Sequence, residues 1–313
     1  MLKTNSKVVI TQKQGIAYRA RRGVQKLTGR ILGPVFTTKT MYRIAKGTSI
    51  NLKNPATFSE KICWYKLYYC PKSKRIINCA DKYLMRAYAE KKGLGKYLPT
   101  LIGEWESAKD IEWNLLPQQF AIKCSHGCAY NIICIDKDSL DTKEATKTLE
   151  KWLKDDFGYY NGEPHYNLGK RRIICEEYID SKDRLPVDYK IHCMNGEPKV
   201  IQECSDRANG KTIHHFYNTD GTPLLIGRVN SEENLAISSD LLDEMICLCK
   251  KIAIDFPYVR IDCYIHKGNI KLGELTFSPG AGILGSMSDQ GELEMGRMLD
   301  LSDYINKSNR VSK

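Results

Sequence analysis

The chain has 313 residues, 42% of them hydrophobic and 27% charged, with 48 Lys or Arg against 37 Asp or Glu. At about 100–200 residues per domain this length supports two or three lobes with sizeable cores, and the composition is ordinary for a globular protein. No apolar run approaches the roughly 18 residues that span a bilayer, and MLKTNSKVVITQKQG holds no stretch long enough for a signal peptide, so a cytoplasmic protein is expected.

The charge is concentrated. Residues 1–50 contain eleven Lys or Arg, from Lys3 to Lys46, and no Asp or Glu, which equals the whole net excess of +11. Such a field attracts nucleic acid, an anionic polysaccharide or the anionic inner face of a membrane alike, and a solvated arm is the plain alternative. A place at the membrane surface is therefore open to residues 1–50. Nucleic acid is the weaker reading, because neither an aromatic-rich RNA-binding strand nor a helix-turn-helix pattern is visible. The twelve cysteines lie mostly in apolar runs such as IICEEYI and VRIDCYI, where Cys acts as a small hydrophobe. No C-x-x-C occurs, so the spacing does not suit zinc.

In chain order, Thr57 and Glu60 have capping-box spacing, and a helix is expected to run from there through Trp64, Leu67 and Tyr68. A second helix should open with Asp81 as N-cap and stop at Gly93. The strand QFAIKC leads through the polar turn SHGCAYN into the strand IICID. Asp141 and Glu144 then open a helix through Trp152. From about residue 171 the period changes to two, giving strands RIICEEYI, DYKIHCM, PKVIQEC, VRIDCYI and IKLGELTF. Asn195–Gly196 joins two of them as a hairpin, and a helix from Ser238 or Ser239 to Ile254 precedes the last pair. Antiparallel strands with covering helices give an α+β fold.

The last pair carries most of the chemistry. With a three-residue loop at Lys267–Gly268–Asn269, position 262 faces 274, and Val259, Ile261, Cys263, Ile265 and Leu275 form an apolar face. The other face holds Arg260, Asp262, Glu274 and Thr276, with two carboxylates opposed. Like charges facing each other are destabilising, so the pair must share a proton or a cation, or be salt-bridged by Arg260. The following FSPGAG could bring backbone N–H groups to a ligand. Upstream, Lys82 follows Asp81 near a helix start and Lys123 ends a strand before a polar turn, both suited to phosphate. Glu176 and Glu177 lie in an apolar strand, where one must turn inward and find a donor such as an adenine amine or a ribose hydroxyl.

Taken together, these segments resemble the ATP-grasp superfamily, and more closely its teichuronopeptide-biosynthesis (TupA-like) branch, found with polysaccharide gene clusters. The carrying segments are NPATFSEKICWYKLYY, CADKYLMRAYAEKKG, QFAIKCSHGCAYNIICIDK, RIICEEYID, DYKIHCMNGEPKVIQ and FPYVRIDCYIHKGNIKLGELTFSPGAG, spanning roughly residues 50–285. The resemblance implies two α+β lobes clasping ATP, at residues 79–180 and 181–313, behind a basic, mainly helical region at 1–78. It implies that Lys82 and Lys123 bind phosphates and that Glu176, Glu177 and Ile179 line the adenine and ribose end. Asp262 and Glu274 would hold Mg²⁺ with Thr276 close by, and Arg260 would sit by the γ-phosphate. Lys190 and Arg207 are further contacts for phosphate or acceptor. Two departures stand out: Thr276 occupies a position commonly Asn, and the loop SHGCAYN has one Gly where lids often have several, so His126 could bind there instead.

The reaction implied is ATP-dependent amide formation through an acyl phosphate, chemistry that needs positioning and charge neutralisation more than a protein nucleophile. The resemblance makes the carboxylate that of a uronic acid, on an anionic glycan or lipid-linked precursor, and the amine that of an amino acid. A glycosyltransferase is the competing enzyme reading; it would usually use a Rossmann-like sheet with a D-x-D-type metal motif, and strand–helix alternation is poor in the first 110 residues. A non-catalytic protein that binds anionic polymers is the competing reading outside enzymes.

Overall fold

In the computed structural model, residues 7–11, 16–179, 187–205 and 212–311 are described. Among these described residues, ten strands form two antiparallel sheets. The first contains β1 (Val8–Ile10), β2 (Leu101–Trp105), β3 (Phe120–Cys124), β4 (Asn131–Cys134) and β5 (Ile173–Glu177), in the order β1-β4-β3-β5-β2. The second contains β6 (Asp188–Met194), β7 (Glu197–Ser205), β8 (Ile213–Tyr217), β9 (Tyr258–His266) and β10 (Asn269–Thr276), in the order β10-β9-β6-β7-β8. Helices α1 (Ile16–Lys46), α2 (Phe58–Trp64), α3 (Lys74–Ala80), α4 (Leu84–Lys91), α5 (Thr142–Leu153), α6 (Gly158–Asn161), α7 (Ser239–Ala253), α8 (Asp289–Met298) and α9 (Ser302–Val311) cover them.

Local chemistry explains most boundaries. Thr57 accepts from the Glu60 N–H and Glu60 reaches back to the Thr57 N–H, a complete capping box that starts α2. The α-turns stop at Trp64; a π-turn over Tyr65–Tyr69 and a 3-10 turn at Cys70 follow, where Pro71 cannot donate to a continuing ladder. Asp81 closes α3 and also caps the next turn as expected: its Oδ1 accepts from the N–H groups of Tyr83 and Leu84 and its carbonyl from the Met85 N–H, although regular α4 begins only at Leu84. Asn195 (φ 52°) and Gly196 (φ 86°) make the β6–β7 turn with both residues left-handed.

Each sheet has its own core. Around the first, α5 buries Ala145, Leu149 and Trp152 against Phe120, Ile122, Ile132 and Ile173. Against the second, α7 buries Leu242, Met245, Cys249 and Ile252 on Ile191, Ile201, Ile261 and Leu275. Ten of the twelve cysteines are buried. β1 completes the edge of the first sheet by pairing with β4, so the basic N-terminal region contributes a strand, which its charge pattern did not suggest. Its long helix α1 bends at Gly33 (φ 78°), directly before Pro34.

Candidate active site

The β9–β10 hairpin reaches the expected pairing by an unexpected route. Its loop has two residues, because Lys267 (φ 50°) and Gly268 (φ 74°) both take the left-handed region and His266 pairs directly with Asn269. Continued unbroken, that register would set Asp262 against Gly273 and turn Glu274 to the apolar face. A bulge between Leu272 and Glu274 shifts the pairing by one, restoring Glu274 opposite Asp262 and Thr276 opposite Arg260. Only Gly fits at 273: a Cβ there would lie 2.6 Å from the Tyr264 ring and 3.2 Å from the Asp262 carbonyl oxygen.

The opposed carboxylates are held by shared cations of the protein. Arg260 donates through Nε to Asp262 Oδ1 and through Nη2 to Oδ2, both at 2.7 Å. Lys190, opposite Asp262 on β6, donates to Asp262 Oδ2 at 2.7 Å and to Asp188 Oδ2 at 2.5 Å. The same Arg260 Nη2 donates to Thr276 Oγ1 at 3.2 Å and stands 3.7 Å from Glu274 Oε1. Thr276 in turn donates to Glu274 Oε1 at 3.1 Å. Burial would raise the Glu274 pKa, but Lys82, Arg260 and Lys190 hold it down at about 2. The carboxylate is thus charged, and its side chain remains 30% exposed, whereas that of Asp262 is 2% exposed and saturated with donors.

Glu274 opens onto a cleft of about 160 Å³ between the two sheets. Lys123 and Glu176 face it from the first sheet and Tyr264, Gly273 and Glu274 from the second, with Lys82 between them. Lys82 Nζ lies 3.4 Å from Glu274 Oε2 and donates to the Gly127 carbonyl at 2.8 Å, tying the 125–130 turn to the acidic pair. Burial would lower the Lys82 pKa, yet Glu274 raises it, so the ammonium stays charged. Glu176 turns inward, but its donors are protein groups: Arg86 Nη1 at 2.9 Å and Lys123 Nζ at 2.5 Å. Glu177 accepts from Lys271 Nζ at 2.7 Å and the Thr100 N–H at 3.0 Å, linking β5 to β10. Ile179 lines the same cleft.

Lys82, Lys123, Glu176, Glu177, Ile179 and Glu274 therefore converge on one cleft, with Arg260, Asp262, Thr276 and Lys190 linked behind Glu274. His126 is not brought there. It is buried, contacts the Asp155 carbonyl at 3.2 Å through Nε2, and has a pKa lowered to about 4 by burial and by Arg171. The turn after β3 folds its imidazole against Tyr130 instead. Arg207 lies outside the described residues. The FSPGAG segment also packs rather than opens: the Ala281 carbonyl accepts from Lys66, and a Cβ on Gly282 would stand 2.7 Å from Cys63 Sγ. The D-x-D triplet Asp136–Lys137–Asp138 is engaged locally, Asp136 pairing with Lys7 and accepting from Asp138 N–H and Ser139 Oγ. Tyr264, Arg86 and Lys271 were not singled out from sequence. Tyr264 was the most accessible of them, since it continues the 260–262 alternation.

The residues suit a nucleoside triphosphate at its anionic end: two ammonium groups face a cleft whose carboxylates already have partners. For Mg²⁺ the donor set is sparse, and no group of three or more potential ligands exists among the described residues. Glu274 fits a ligand role through its cleft-facing oxygen; Asp262 fits one only by releasing Lys190 or part of the Arg260 clamp.

Two sheets closing on this cleft form the ATP-grasp fold. The chain belongs to the TupA-like ATP-grasp family, whose model matches residues 60–300. No curated protein matches. Among solved structures, similarity extends to D-alanine–D-alanine ligase from Bacillus anthracis in complex with ATP, at 16% identity and a TM-score of 0.46, covering 75% of this chain and 67% of that one. The D-alanine–D-alanine ligase from Helicobacter pylori is similar at 15% identity and a TM-score of 0.43, covering 78% and 70%.

Proposed function

We propose that the protein is an ATP-dependent carboxylate–amine ligase that attaches an amino acid to a uronic acid of a bacterial surface polysaccharide. The observation that carries this reading is the convergence of Lys82, Lys123 and Glu274 on one cleft between the sheets. Lys82 and Lys123 hold the phosphates; Arg260, fixed by Asp262, neutralises charge at the reacting end; Glu274 and Asp262 are the residues that would hold Mg²⁺. Bound there, the metal would supply charge neutralisation on the phosphate oxygens. The acceptor carboxylate attacks the γ-phosphate and ADP leaves, giving an acyl phosphate; the amine then displaces phosphate from the acyl carbon and loses a proton, so that an amide, ADP and inorganic phosphate result. No protein nucleophile is needed. The uronic-acid acceptor and amino-acid amine rest on the resemblance to the teichuronopeptide-biosynthesis branch.

The test is ADP and phosphate release in a matrix of uronic-acid glycans against amino acids. Release that requires one member of each set is expected. ATP turnover independent of both, or none with any pair, would overturn the reading.

A further inference from the structure

Before the Gly33 bend, helix α1 is inside out. The side turned to the body of the protein carries Arg22, whose guanidinium lies 3.4 Å from the Tyr160 ring centroid, and Lys26, which donates to Asp155 at 2.8 Å. Between them and the body, Gly29 approaches so closely that a Cβ would sit 2.0 Å from the Tyr159 carbonyl oxygen. The opposite side carries Val24, Leu27 and Ile31, spaced i, i+3 and i+7 on one stripe and 65%, 61% and 70% exposed. Exposed Arg21 and Arg30 flank the stripe. Beyond the Gly33 bend the same mixture recurs, with Phe36 48% and Ile44 80% exposed beside exposed Lys39 and Arg43.

We propose that this outward face of α1 is a docking surface for an anionic lipid bilayer, on which the helix lies rather than spans. An apolar stripe between arginines fits the boundary between acyl chains and negative headgroups. No helix among the described residues is long and apolar enough to cross a membrane. A hydrated anionic glycan would satisfy the arginines but leave the stripe in water. A second copy would bring Arg21, Arg30, Lys39 and Arg43 of one helix against the same four of the other, with no acid in residues 1–50 to offset them. The proposal stands apart from the ligase reading and does not use the cleft.

The test uses the full chain in co-flotation with vesicles of phosphatidylcholine alone, or with about one third phosphatidylglycerol. Binding at least tenfold stronger to the anionic vesicles is expected, weakening as salt is raised. The triple variant Val24→Ser, Leu27→Ser, Ile31→Ser keeps every charge and should lose at least tenfold of that binding, with thermal midpoint unchanged. Leu27→Trp should show blue-shifted emission on anionic vesicles only. Undiminished binding of the triple variant, or equal binding to both vesicles, would overturn the proposal. So would failure to bind vesicles accompanied by a dimer that the triple variant dissolves, which would assign the face to a second copy.

Discussion

Arg260 grips both oxygens of Asp262 at 2.7 Å, and its Nη2 stands 3.7 Å from Glu274, so one guanidinium spans two carboxylates that would otherwise repel. The two acids are nonetheless unequal, one sealed and one open, and substitutions should separate them. Glu274→Gln retains the hydrogen bond from Thr276 and sits on a part-exposed side chain. We expect Mg-ATP turnover to fall by about a hundredfold or more, while the thermal midpoint moves only a few degrees. Asp262→Asn instead leaves Arg260 and Lys190 buried with too little counter-charge, and should cost about 3 kcal/mol of stability. Denaturant titration alongside ADP release checks both; full activity in Glu274→Gln would remove Glu274 from the site.

Gly273 is predicted to matter out of proportion to its size. In Gly273→Val the new side chain must displace the Tyr264 ring or open the bulge, and opening it returns Glu274 toward the apolar face. ATP affinity should fall at least tenfold, with Tyr264→Ala partly restoring it in the double variant by vacating the space. Unchanged affinity in Gly273→Val would show that the hairpin tolerates the side chain without moving Glu274.

Gly29 tests the seating of α1. With a Cβ in Gly29→Leu directed at the Tyr159 carbonyl, the helix must lift from α6, breaking the Lys26–Asp155 pair and the Arg22–Tyr160 stack. Limited proteolysis should then cut within residues 16–46 at least tenfold faster than in the parent, with the second-sheet core unaffected. Equal cleavage rates would mean that α1 is held by other contacts.

Much of this was legible in the sequence where a local rule acts alone. The Thr57–Glu60 box, the Asn195–Gly196 turn and the Ser238 cap were each placed by one or two residues. The 262–274 pairing was also legible, though through two errors that cancel: a loop read one residue too long and a bulge not foreseen. Gly273 gave the only hint, and a lone strand glycine marks a bulge no more than it marks a weak strand. What escaped was decided at long range. Glu176 turns inward as expected, but Arg86 and Lys123 meet it first, and no local pattern reports a partner 90 residues away. His126 looked like a loop ligand because sequence gives no sign of the Asp155 carbonyl that draws it inward. The outward apolar stripe of α1 has the spacing of a core-facing stripe, and only the packed partner tells the two apart.

The buried histidines set the last prediction, an acid limb of stability that starts near neutrality. Burial lowers His165 and His192 to about 3, with Lys66 adding to the first and Arg260 to the second, and lowers His126 to about 4. All three fold as neutral rings. Below their ordinary pKa of about 6.5 the unfolded chain binds protons that the folded chain refuses, so stability is complete above that value and falls as pH drops. Each histidine contributes a slope of at most about 1.4 kcal/mol per pH unit. Glu274, held down at about 2, joins only below its ordinary range near 4.5, where its stabilisation is lost in turn. Asp81 and Glu163 act in the opposite sense, because burial raises them and the folded chain takes up their protons first. The denaturant midpoint should therefore fall steadily from pH 6.5 to 5, before most carboxylates titrate. His165, whose two ring nitrogens have no hydrogen-bond partner among the described residues, is the cleanest probe. In His165→Leu the slope across that window should drop by about a third; an unchanged slope would show that His165 does not titrate with unfolding.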